Sequence, residues 1–506
     1  MRLLTREQSQ DLDRFAMDKF GISGVDLMRS AGRKVAEAAQ HQVADILDSQ
    51  ILILCGKGNN GGDGFAAAFT LHKQGFNIQV HSLVEQKLIN GDSSHFFEKC
   101  MQTGCSISFG MELPDFSDPD IIIDGLLGTG FRNELKPEFL PWIDLINNSG
   151  AFVISIDIPS GLDCNSGLIL PTAVRANKTI TMGFVKVGLC LAHGKDHSGS
   201  IEPVDIGFPS IATMNQEGLS WNQIDKTDIP SLLQSPATNT YKHKQGKVLI
   251  VAGSEGMTGA AVLATYGALR SGAGLTVTCA PSSLNNVYEK YILEGMTLSC
   301  DDEERGYLTM NNFDQIFDKS EWADSIIIGP GLGTNSETIK LIKALVHSIK
   351  KPVILDADGL QCYSELSGDL EKLIVTPHLG EFSAMIQHPI NEITSHFISI
   401  VTRFMSGFRG TAVIKHVPAC ICQGKQVSLN SSGNPALATA GTGDVLSGMI
   451  GTFCAQGMDG YNACRLATYV HGKAADQLSQ AIGKRGMIAS DLPAEVAIVI
   501  GKYEQE

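Results

Sequence analysis

Three small residues followed by a carboxylate, Gly441-Thr442-Gly443-Asp444, form the segment best suited to chemistry. An apolar helical pattern begins directly afterwards at Val445, so the backbone N–H groups of the small residues are predicted to lie at a helix N-terminus. N–H groups in that position bind anions such as phosphate. Asp444 falls in the first helical turn, where the helix dipole favours its ionised form, and there it could accept a proton from a hydroxyl that attacks a bound phosphate. The alternative is an Asp that caps a helix after a glycine turn.

A second glycine-rich segment, residues 56–64, follows a short apolar strand predicted at Ile51–Cys55 and precedes a helix predicted to start near Phe65. This order is typical of the phosphate-binding opening of a doubly wound α/β fold. The segment matches neither GxGxxG with an acidic ribose ligand nor a Walker A loop, which argues against a dehydrogenase and a P-loop NTPase. Asn59 and Asn60 add amide oxygens and tolerate positive φ.

Polar side chains also follow two further predicted strands. Asp124 closes one buried strand, and Asp157 and Ser160 follow the strand Phe152–Ile156. The carboxyl ends of parallel strands meet at one edge of a sheet, which is where open α/β sheets bind ligands. Together with the amide oxygen of Asn60, these side chains offer hard oxygen ligands for a cation of low charge density, or groups for general acid/base catalysis. Each Asp alone could instead cap a turn.

Strands and helices alternate through the chain, which requires a mostly parallel sheet. Further strands are predicted at Ile78–Val84, Lys178–Met182, Gly199–Asp205, Lys247–Gly253, Leu275–Cys279, Ser325–Gly329, Val353–Ala357, Leu373–Thr376 and Thr411–Lys415. Helices are predicted from Thr5 to Phe20 and at Val25–Leu47, Ala260–Arg270 and Ser336–Ser348, with a hairpin around Gly424. The polar, turn-rich stretch Ile211–Gln245 contains the predicted domain boundary, between Met214 and Asn222. The halves share architecture but no motif, which indicates a fusion and no internal repeat.

Two residues of the second half have two open interpretations each. Lys415 ends a predicted strand and is expected to contact the phosphate or adenosine of a nucleotide, with an exposed strand-end lysine as the alternative. His378 lies between Pro377 and a predicted helix start, so it is either a helix cap or a ligand contact.

Composition limits the partners. The 506 residues carry a formal net charge of −15, with a sequence pI of about 5.3, so a nucleic-acid or anionic-membrane surface is not expected. The 12 cysteines form no disulfide or metal framework and are predicted to be reduced thiols, as in a cytoplasmic protein. The first residues lack the continuous apolar run of a signal peptide, and no later run is long enough to span a bilayer.

The motifs together resemble those of the bifunctional NAD(P)H-hydrate repair enzymes, in which an NAD(P)HX epimerase is fused to an ADP-dependent NAD(P)HX dehydratase of the ribokinase-like superfamily. The similar segments of the first half are Gly58 to Gly64, Asp124 to Gly130 and Asp157 to Gly161. Those of the second half are Gly253-Ser254, Thr258 to Ala261, Gly329 to Gly333, Asp356 to Asp358, Pro377 to Glu381 and Gly433 to Asp444. The chain departs from the pattern at His416 to Ala419, where a glycine-rich turn is usual, at Leu379 and at Gly359.

The resemblance implies an α/β chain: a Rossmann-like doubly wound epimerase domain at residues 1–218 and a ribokinase-like α/β dehydratase domain at residues 223–506. It implies a potassium ion bound by Asn60, Asp124 and Ser160. In the first half it implies contacts to the hydrated nucleotide from Asn59, Asn60, Gly61, Gly62, Asp63, Gly128, Thr129, Gly130, Phe131, Arg132, Asn133, Glu134 and Asp157. In the second half it implies that Gly259, Gly331, His378 and Asp444 face the hydrate, and that Lys415, His416, Val417, Pro418, Ala419, Gly441, Thr442 and Gly443 face the nucleotide.

The implied reaction is the repair of hydrated NADH and NADPH. The first domain would interconvert the R and S hydrates, with Asp157 as general acid/base. The second would dehydrate the S form to NAD(P)H, AMP and phosphate, with ADP or ATP as donor, Mg²⁺ as a further cofactor and Asp444 as the base. The expected partners are NAD(P)HX, ADP and further copies of the chain. The alternatives are a ribokinase-like small-molecule kinase fused to a nucleotide-binding domain, and a non-catalytic nucleotide-binding or scaffold protein.

Overall fold

The computed structural model describes residues 1–43, 49–112, 118–132, 135–169, 171–208, 218–233, 235–368 and 370–505. The chain forms two compact units, one comprising Arg2–Trp221 and the other comprising Asn222–Glu506 together with Met1. Each unit is a sheet of mostly parallel strands with helices between them, which confirms the predicted α/β class.

The first unit contains, in its described residues, strands β1 to β9 and helices α1 to α7. The strands are β1 (Arg2–Leu4), β2 (Gln50–Cys55), β3 (Asn77–Ser82), β4 (Ser106–Phe109), β5 (Ile121–Gly125), β6 (Phe152–Ile156), β7 (Lys178–Met182), β8 (Val185–Lys186) and β9 (Ser200–Val204). The helices are α1 (Arg6–Phe20), α2 (Gly24–Gln40), α3 (Asn59–Lys73), α4 (Asp92–Thr103), α5 (Leu140–Asn148), α6 (Val187–Cys190) and α7 (Gly194–Ser198). The main sheet has the order β4-β3-β2-β5-β6-β7-β9 with all neighbours parallel, and β1 pairs with β8 in parallel.

The central strands of this sheet are buried on both faces, which explains their continuous apolar sequences. Ile53, Ile123 and Ile154 point to the face that is covered by α2, α3 and α4, and none of the three is exposed to solvent. On the other face, Leu54 and Ile122 pack in one cluster with Trp142 of α5. The carboxyl ends of β2, β5 and β6 are therefore fixed side by side.

Helix α3 corrects one prediction, because it begins at Asn59 and not near Phe65. Gly58 occupies the position before the helix, and the following small residues allow its first turn to approach the strand ends closely. A Cβ atom at Gly61 would lie 2.0 Å from the carbonyl oxygen of Gly56. Residues 59–63 are thus the helix N-terminus itself and not a loop before it.

Other boundaries in this unit also differ from the predictions. Helix α2 ends at Gln40, whereas the apolar pattern predicted a helix to Leu47, and residues 44–48 lie outside the described part of the chain. The short strands β1 and β4 were not predicted, because Arg2–Leu4 and Ser106–Phe109 are too short for a strand period to stand out.

The described residues of the connector contain more regular structure than its polar composition predicts. It contains β10 (Ser220–Ile224) and α8 (Ile229–Leu232). Ile224 and Ile229 are fully buried in one cluster with Val248 of the second unit. Isolated apolar residues among polar ones give no periodic pattern, although burial of each stabilises this segment.

The second unit continues from there. Its strands are β11 (Lys247–Val251), β12 (Leu275–Pro281), β13 (Met296–Cys300), β14 (Ser325–Ile328), β15 (Val353–Leu355), β16 (Leu373–Val375), β17 (Thr411–Ile414), β18 (Cys420–Gln423) and β19 (Gln426–Asn430). Its helices are α9 (Thr258–Arg270), α10 (Asn285–Tyr291), α11 (Phe313–Trp322), α12 (Ser336–Ser348), α13 (Leu379–Ile386), α14 (Ile390–Ser395), α15 (Phe397–Gly407), α16 (Thr442–Ala455), α17 (Gly460–Ile482) and α18 (Leu492–Glu504).

The strand order β13-β12-β11-β14-β15-β16-β17 is parallel throughout, and β17, β18 and β19 follow as antiparallel neighbours. The antiparallel pair β18 and β19 confirms the predicted hairpin around Gly424. Within the described residues, no helix combines the length and the hydropathy needed to cross a membrane.

Helix α16 is fixed by direct contact with the backbone of α9. A Cβ atom at Gly448 would lie 2.2 Å from the carbonyl oxygen of Ala264, and a Cβ atom at Gly267 would lie 2.3 Å from that of Val445. Glycine at both positions lets the two helices touch, and this contact places the N-terminus of α16 at the carboxyl edge of the sheet.

We expect Gly448→Ala to destabilise the second unit by about 1–3 kcal/mol, because the added methyl group collides with backbone that has no room to move. The measurement is the unfolding midpoint in urea. Gly501→Ala in α18 is the matched control: no atom lies within 4 Å of its Cβ position, so this change should be neutral or stabilising. Equal midpoints for Gly448→Ala and wild type would contradict the close contact.

Candidate active sites

A cleft of about 830 Å³ lies at the carboxyl ends of the strands of the first unit. Its lining includes these predicted substrate residues: Asn59, Asn60, Asp63, Gly128, Thr129, Gly130, Phe131 and Asp157. Gly61, Gly62 and Arg132 are described but do not line the cleft, and Asn133 and Glu134 lie outside the described residues. Helix α1 contributes Ser9, Asp13 and Met17 to the wall, which the sequence did not predict.

Asp124 lies beneath this cleft, fully buried at the end of β5. One carboxylate oxygen accepts a hydrogen bond from the hydroxyl of Ser160 at 2.5 Å, and the other accepts from the backbone N–H of Ser160 at 2.9 Å and from the hydroxyl of Ser155 at 2.8 Å. Burial nevertheless raises the pKa of Asp124, although these hydrogen bonds oppose the shift. A nearby cation would therefore favour its ionised form.

Two of the three predicted ion ligands, Asn60 and Ser160, contact one backbone carbonyl group, and Ser160 also binds the third, Asp124. The amide of Asn60 donates to the carbonyl oxygen of Leu127 at 2.9 Å, and the hydroxyl of Ser160 lies 3.2 Å from the same oxygen. These groups offer one carboxylate and several neutral oxygens, a set that suits a monovalent cation better than Mg²⁺. In the described residues, no group of three or more His, Cys, Asp and Glu side chains could hold a metal ion. The oxygen donors of Asn60, Asp124 and Ser160 fit potassium better than a transition metal, which prefers nitrogen and sulfur ligands.

Asp157 follows β6 with a positive φ of 63°, a conformation that is uncommon for non-glycine residues. Its carboxylate accepts hydrogen bonds from the backbone N–H of Met182 at 2.9 Å and from the ammonium group of Lys186. The side chain of Lys186 is only 1% exposed. This buried ion pair fixes Asp157 at the wall of the cleft.

Two further carboxyl groups surround this pair. Burial, opposed by Lys186, raises the pKa of Asp13 to about 6. Burial and the neighbouring carboxylates of Asp157 and Asp13 raise the pKa of Asp63 well above its usual value. The cleft therefore combines a fixed carboxylate with acids that keep their protons closer to neutral pH, which is an arrangement suited to proton transfer.

Arg6, at the start of α1, binds the loop that follows β5. Its guanidinium donates to the carbonyl oxygens of Thr129 at 2.8 Å and Phe131 at 2.9 Å, and it forms an ion pair with Asp163 at 2.5 Å. Because Arg6 and Asp163 are both largely buried, this pair fixes one wall of the cleft.

In the second unit, Gly441 precedes α16 with a φ of 90°, and Asp444 lies in the first turn, as predicted. The prediction that the helix dipole keeps Asp444 ionised needs correction. Burial and the nearby charge of Asp356 raise its pKa to about 7, with Lys415 acting in the opposite direction. A carboxylate with a pKa near neutrality is well matched to general base catalysis.

Lys415 lies at the end of β17 and forms an ion pair with Asp356, whose carboxylate oxygen is 2.8 Å from the ammonium nitrogen. The second oxygen of Asp356 accepts from the hydroxyl of Ser447 in α16 at 2.7 Å. Lys415 is therefore not an exposed strand-end lysine, because its ammonium group is paired with Asp356. Its side chain is 24% exposed and lies beside the first turn of α16.

His378 is a helix cap. Its Nδ1 accepts from the backbone N–H groups of Gly380 at 3.0 Å and Glu381 at 3.2 Å, while the Glu381 carboxylate accepts from the backbone N–H of His378 at 2.8 Å. The side chain is 60% exposed, so the cap leaves room for a ligand contact as well.

The remaining predicted residues lie on neighbouring turns. Gly331 has a φ of 62°, and its carbonyl oxygen accepts from Ser254 at 2.8 Å. Gly259 lies in the first turn of α9, with open space at its Cβ position. In the segment after Lys415, the ring of His416 packs on Phe397 and Val417 is 74% exposed, while Pro418 and Ala419 connect them to β18.

Comparison with known proteins identifies the family. A family model described as NAD(P)H-hydrate dehydratase matches residues 248–497, and one described as YjeF-related protein N-terminus matches residues 24–188. The bifunctional NAD(P)H-hydrate repair enzyme Nnr of Moorella thermoacetica is 31% identical over 521 residues, covering 100% of this chain and 98% of its own. The enzyme of the same name from Methanothermobacter thermautotrophicus is 34% identical over 492 residues, covering 93% of this chain and 90% of its own. The chain belongs to the family of bifunctional NAD(P)H-hydrate repair enzymes.

This membership confirms the predicted enzyme class, an NAD(P)H-hydrate epimerase fused to an NAD(P)H-hydrate dehydratase. A ribokinase-like superfamily protein from Enterococcus faecalis V583 is similar in structure, with a TM-score of 0.51, 24% identity, and coverage of 56% of this chain and 97% of its own. That likeness confirms the ribokinase-like fold.

The sequence analysis did not predict several residues that lie at the two sites of this repair enzyme. Asp13 and Arg6 lie on α1, which falls outside the matched residues 24–188. Lys186 gave no signal, because a lysine at the end of a short strand has the pattern of a surface residue. The sequence analysis noted Asp356 only as part of a motif. It did not predict that Ser447 of α16 contacts Asp356.

We expect Arg6→Ala to destabilise the epimerase unit by about 3–5 kcal/mol, because Asp163 loses its buried partner, and to raise the KM for the hydrate, because two loop carbonyls lose their donor. Thermal unfolding and epimerisation kinetics measure these effects. Arg14→Ala on the same helix is the control, since the Arg14 side chain is 70% exposed and its ion pair should contribute little. An unchanged KM with lowered stability would remove Arg6 from the site.

Proposed function

We propose that residues 1–218 interconvert the R and S hydrates of NADH and NADPH, and that residues 223–506 dehydrate the S hydrate with ADP or ATP as phosphoryl donor. The observation that supports dehydration best is the placement of Asp444, with a pKa of about 7, directly after the Gly441-Thr442-Gly443 helix N-terminus. A base and an anion-binding helix end adjoin there, as phosphoryl transfer to a hydroxyl requires.

In the proposed dehydration, the backbone N–H groups at the start of α16 bind the transferred phosphoryl group. Asp444 takes the proton of the hydrate hydroxyl, the hydroxyl oxygen attacks the phosphorus, and the nucleotide leaves with one phosphate fewer. Loss of the new phosphate ester from the ring carbon, with a proton from the adjacent carbon, restores the dihydronicotinamide. Lys415 lies where it can stabilise the negative charge of the donor. Mg²⁺ bound to the donor's phosphate oxygens would neutralise part of their charge.

Asp444→Asn should lower the dehydration rate by about 10²–10⁴-fold, because the amide keeps the shape of the side chain but takes up no proton. In the wild type, the rate should fall as the pH drops through about 7, because protonation removes the base. The assay follows the return of near-ultraviolet absorbance on adding S hydrate with ADP or ATP.

Asp459→Asn is the control for this change, because Asp459 likewise lies at a helix N-terminus, where it caps α17 by accepting from the backbone N–H of Asn462 at 3.0 Å. Near wild-type turnover by Asp444→Asn would contradict its role as the base. Accumulation of a stable phosphate ester without restored absorbance would instead favour a small-molecule kinase.

For epimerisation, we propose Asp157 as the general acid/base and a potassium ion bound by Asn60, Asp124 and Ser160. The support for Asp157 is its fixed position at the cleft wall, on the ammonium group of Lys186. The support for the ion is the set of converging oxygens and the buried carboxylate of Asp124, whose hydrogen-bond partners within the described part of the chain include no cationic side chain. A bound potassium ion would supply positive charge that organises the loops and the nucleotide phosphates.

Asp124→Asn should impair R-to-S epimerisation and abolish its preference for potassium over sodium, while dehydration of supplied S hydrate stays near wild type. The amide keeps the shape but lacks the charge that attracts the ion. Thermal unfolding in KCl and in NaCl gives a second readout, with potassium stabilising only the wild type. Asp120→Asn at the start of the same strand is the control. Equal losses with both epimers would indicate a folding defect.

The proposal includes the cytoplasm as the compartment and assembly into homo-oligomers. All 12 cysteines are buried free thiols, as expected in a reducing compartment. Leu293 is 75% exposed and Met296, on the edge strand β13, is 43% exposed, which offers apolar surface for contact between copies.

A further inference from the structure

Asp356 is a buried charge that the proposed reaction does not use directly. It follows β15, is 1% exposed, and divides its carboxylate between two elements: one oxygen binds Lys415 of β17 at 2.8 Å and the other binds Ser447 of α16 at 2.7 Å. Burial would raise its pKa, but the charge of Lys415 and the hydrogen bonds lower it overall, so Asp356 is ionised.

This ion pair lies directly beneath the glycine turn. A Cβ atom at Gly443 would be 3.3 Å from the ammonium nitrogen of Lys415 and 3.8 Å from a carboxylate oxygen of Asp356. Asp356 therefore connects the lysine to the helix end that is proposed to bind the phosphoryl group. Without Asp356, Lys415 would lose its connection to α16 through Ser447.

Asp444, three residues before Ser447, is exposed to the field of this pair. The charged groups that act on it are Asp356, Asp358 and Glu381, which favour its protonated form, and Lys415, which opposes them. From α17, His471 faces the same turn and binds the carbonyl oxygen of Thr442 at 3.0 Å. Burial lowers the pKa of His471 to about 4, so it adds no charge at neutral pH. Among the charges, Asp356 has the largest effect after burial itself.

We propose that Asp356 is a positioning residue of the dehydratase site, which fixes Lys415 against the first turn of α16 and keeps Asp444 able to accept a proton near neutral pH. This inference rests on the proposed dehydration and goes beyond it, because it assigns the strength of the base to a residue that does not touch the substrate.

The test is the pH dependence of dehydration kcat in the full chain, with S hydrate and ADP, for wild type, Asp356→Asn, Asp356→Glu and Asp358→Asn. Removing the charge of Asp356 should move the acidic limb of the pH–kcat profile, where kcat falls as the pH is lowered, down by about one pH unit. It should also raise the KM for ADP, because Lys415 loses its ion-pair partner. Asp356→Glu keeps the charge, so its acidic limb should stay with that of the wild type.

Asp358→Asn is the matched control. It removes a carboxylate that accepts a hydrogen bond from the N–H of Gly333 and does not bind Lys415, so the shift should be smaller and the KM for ADP unchanged.

Unshifted acidic limbs in folded Asp356→Asn would overturn the inference, whatever the loss of rate. If Asp356→Asn alone does not fold, the comparison is made between Lys415→Gln and the double variant Lys415→Gln/Asp356→Asn, which leaves no unpaired buried charge. The double variant should have the lower acidic limb, and coincident limbs would overturn the inference. Absence of any nucleotide-dependent return of absorbance in the wild type would instead reject the proposed function.

Discussion

Each unit depends on one carboxylate buried at the carboxyl end of a central parallel strand. Asp124 lies at the end of β5 and Asp356 follows β15, and neither exposes more than 1% of its surface. A buried carboxylate is tolerated only when donors saturate it. A serine hydroxyl donates a hydrogen bond to each carboxylate: Ser160 donates to Asp124, and Ser447 donates to Asp356. These bonds connect separate segments of chain, so the same interaction that satisfies the charge also fixes the geometry of the site.

Close backbone contact is the second requirement, because carboxylates can align helix ends only if the helices reach the strand ends. The glycines of α3 and α16 allow that approach, at Gly61 against Gly56 and at Gly448 against α9. The cost is weak intrinsic helix propensity in both segments. Tertiary packing outweighs it, which is why a stretch that resembles a loop in the sequence forms the first turn of α3.

The sequence was sufficient for the elements whose signal is local. Most strands, the helix Ser336–Ser348, the hairpin at Gly424 and the position of Asp444 agree with the pattern. It was insufficient where the decisive fact is which distant residues meet. The ionisation of Asp444 depends on Asp356, which is 88 residues away in the chain, and the dipole argument considered only its own helix. The role of Lys186 depends on a pairing with Asp157 that spacing does not encode.

The two buried carboxylates differ in one respect that accounts for the different chemistry proposed at each site. Asp356 has Lys415 beside it, and that ammonium group lowers its pKa in spite of burial. Among the described residues, the groups that donate hydrogen bonds to Asp124 are neutral, and burial raises its pKa. In the second unit, the buried carboxylate thus has a permanent cation beside it, which can also meet a phosphate, whereas no cationic side chain in the described part of the first unit hydrogen-bonds to Asp124. A potassium ion at Asn60, Asp124 and Ser160 would occupy the electrostatic place that Lys415 has in the other site, and it would be exchangeable where the lysine is not.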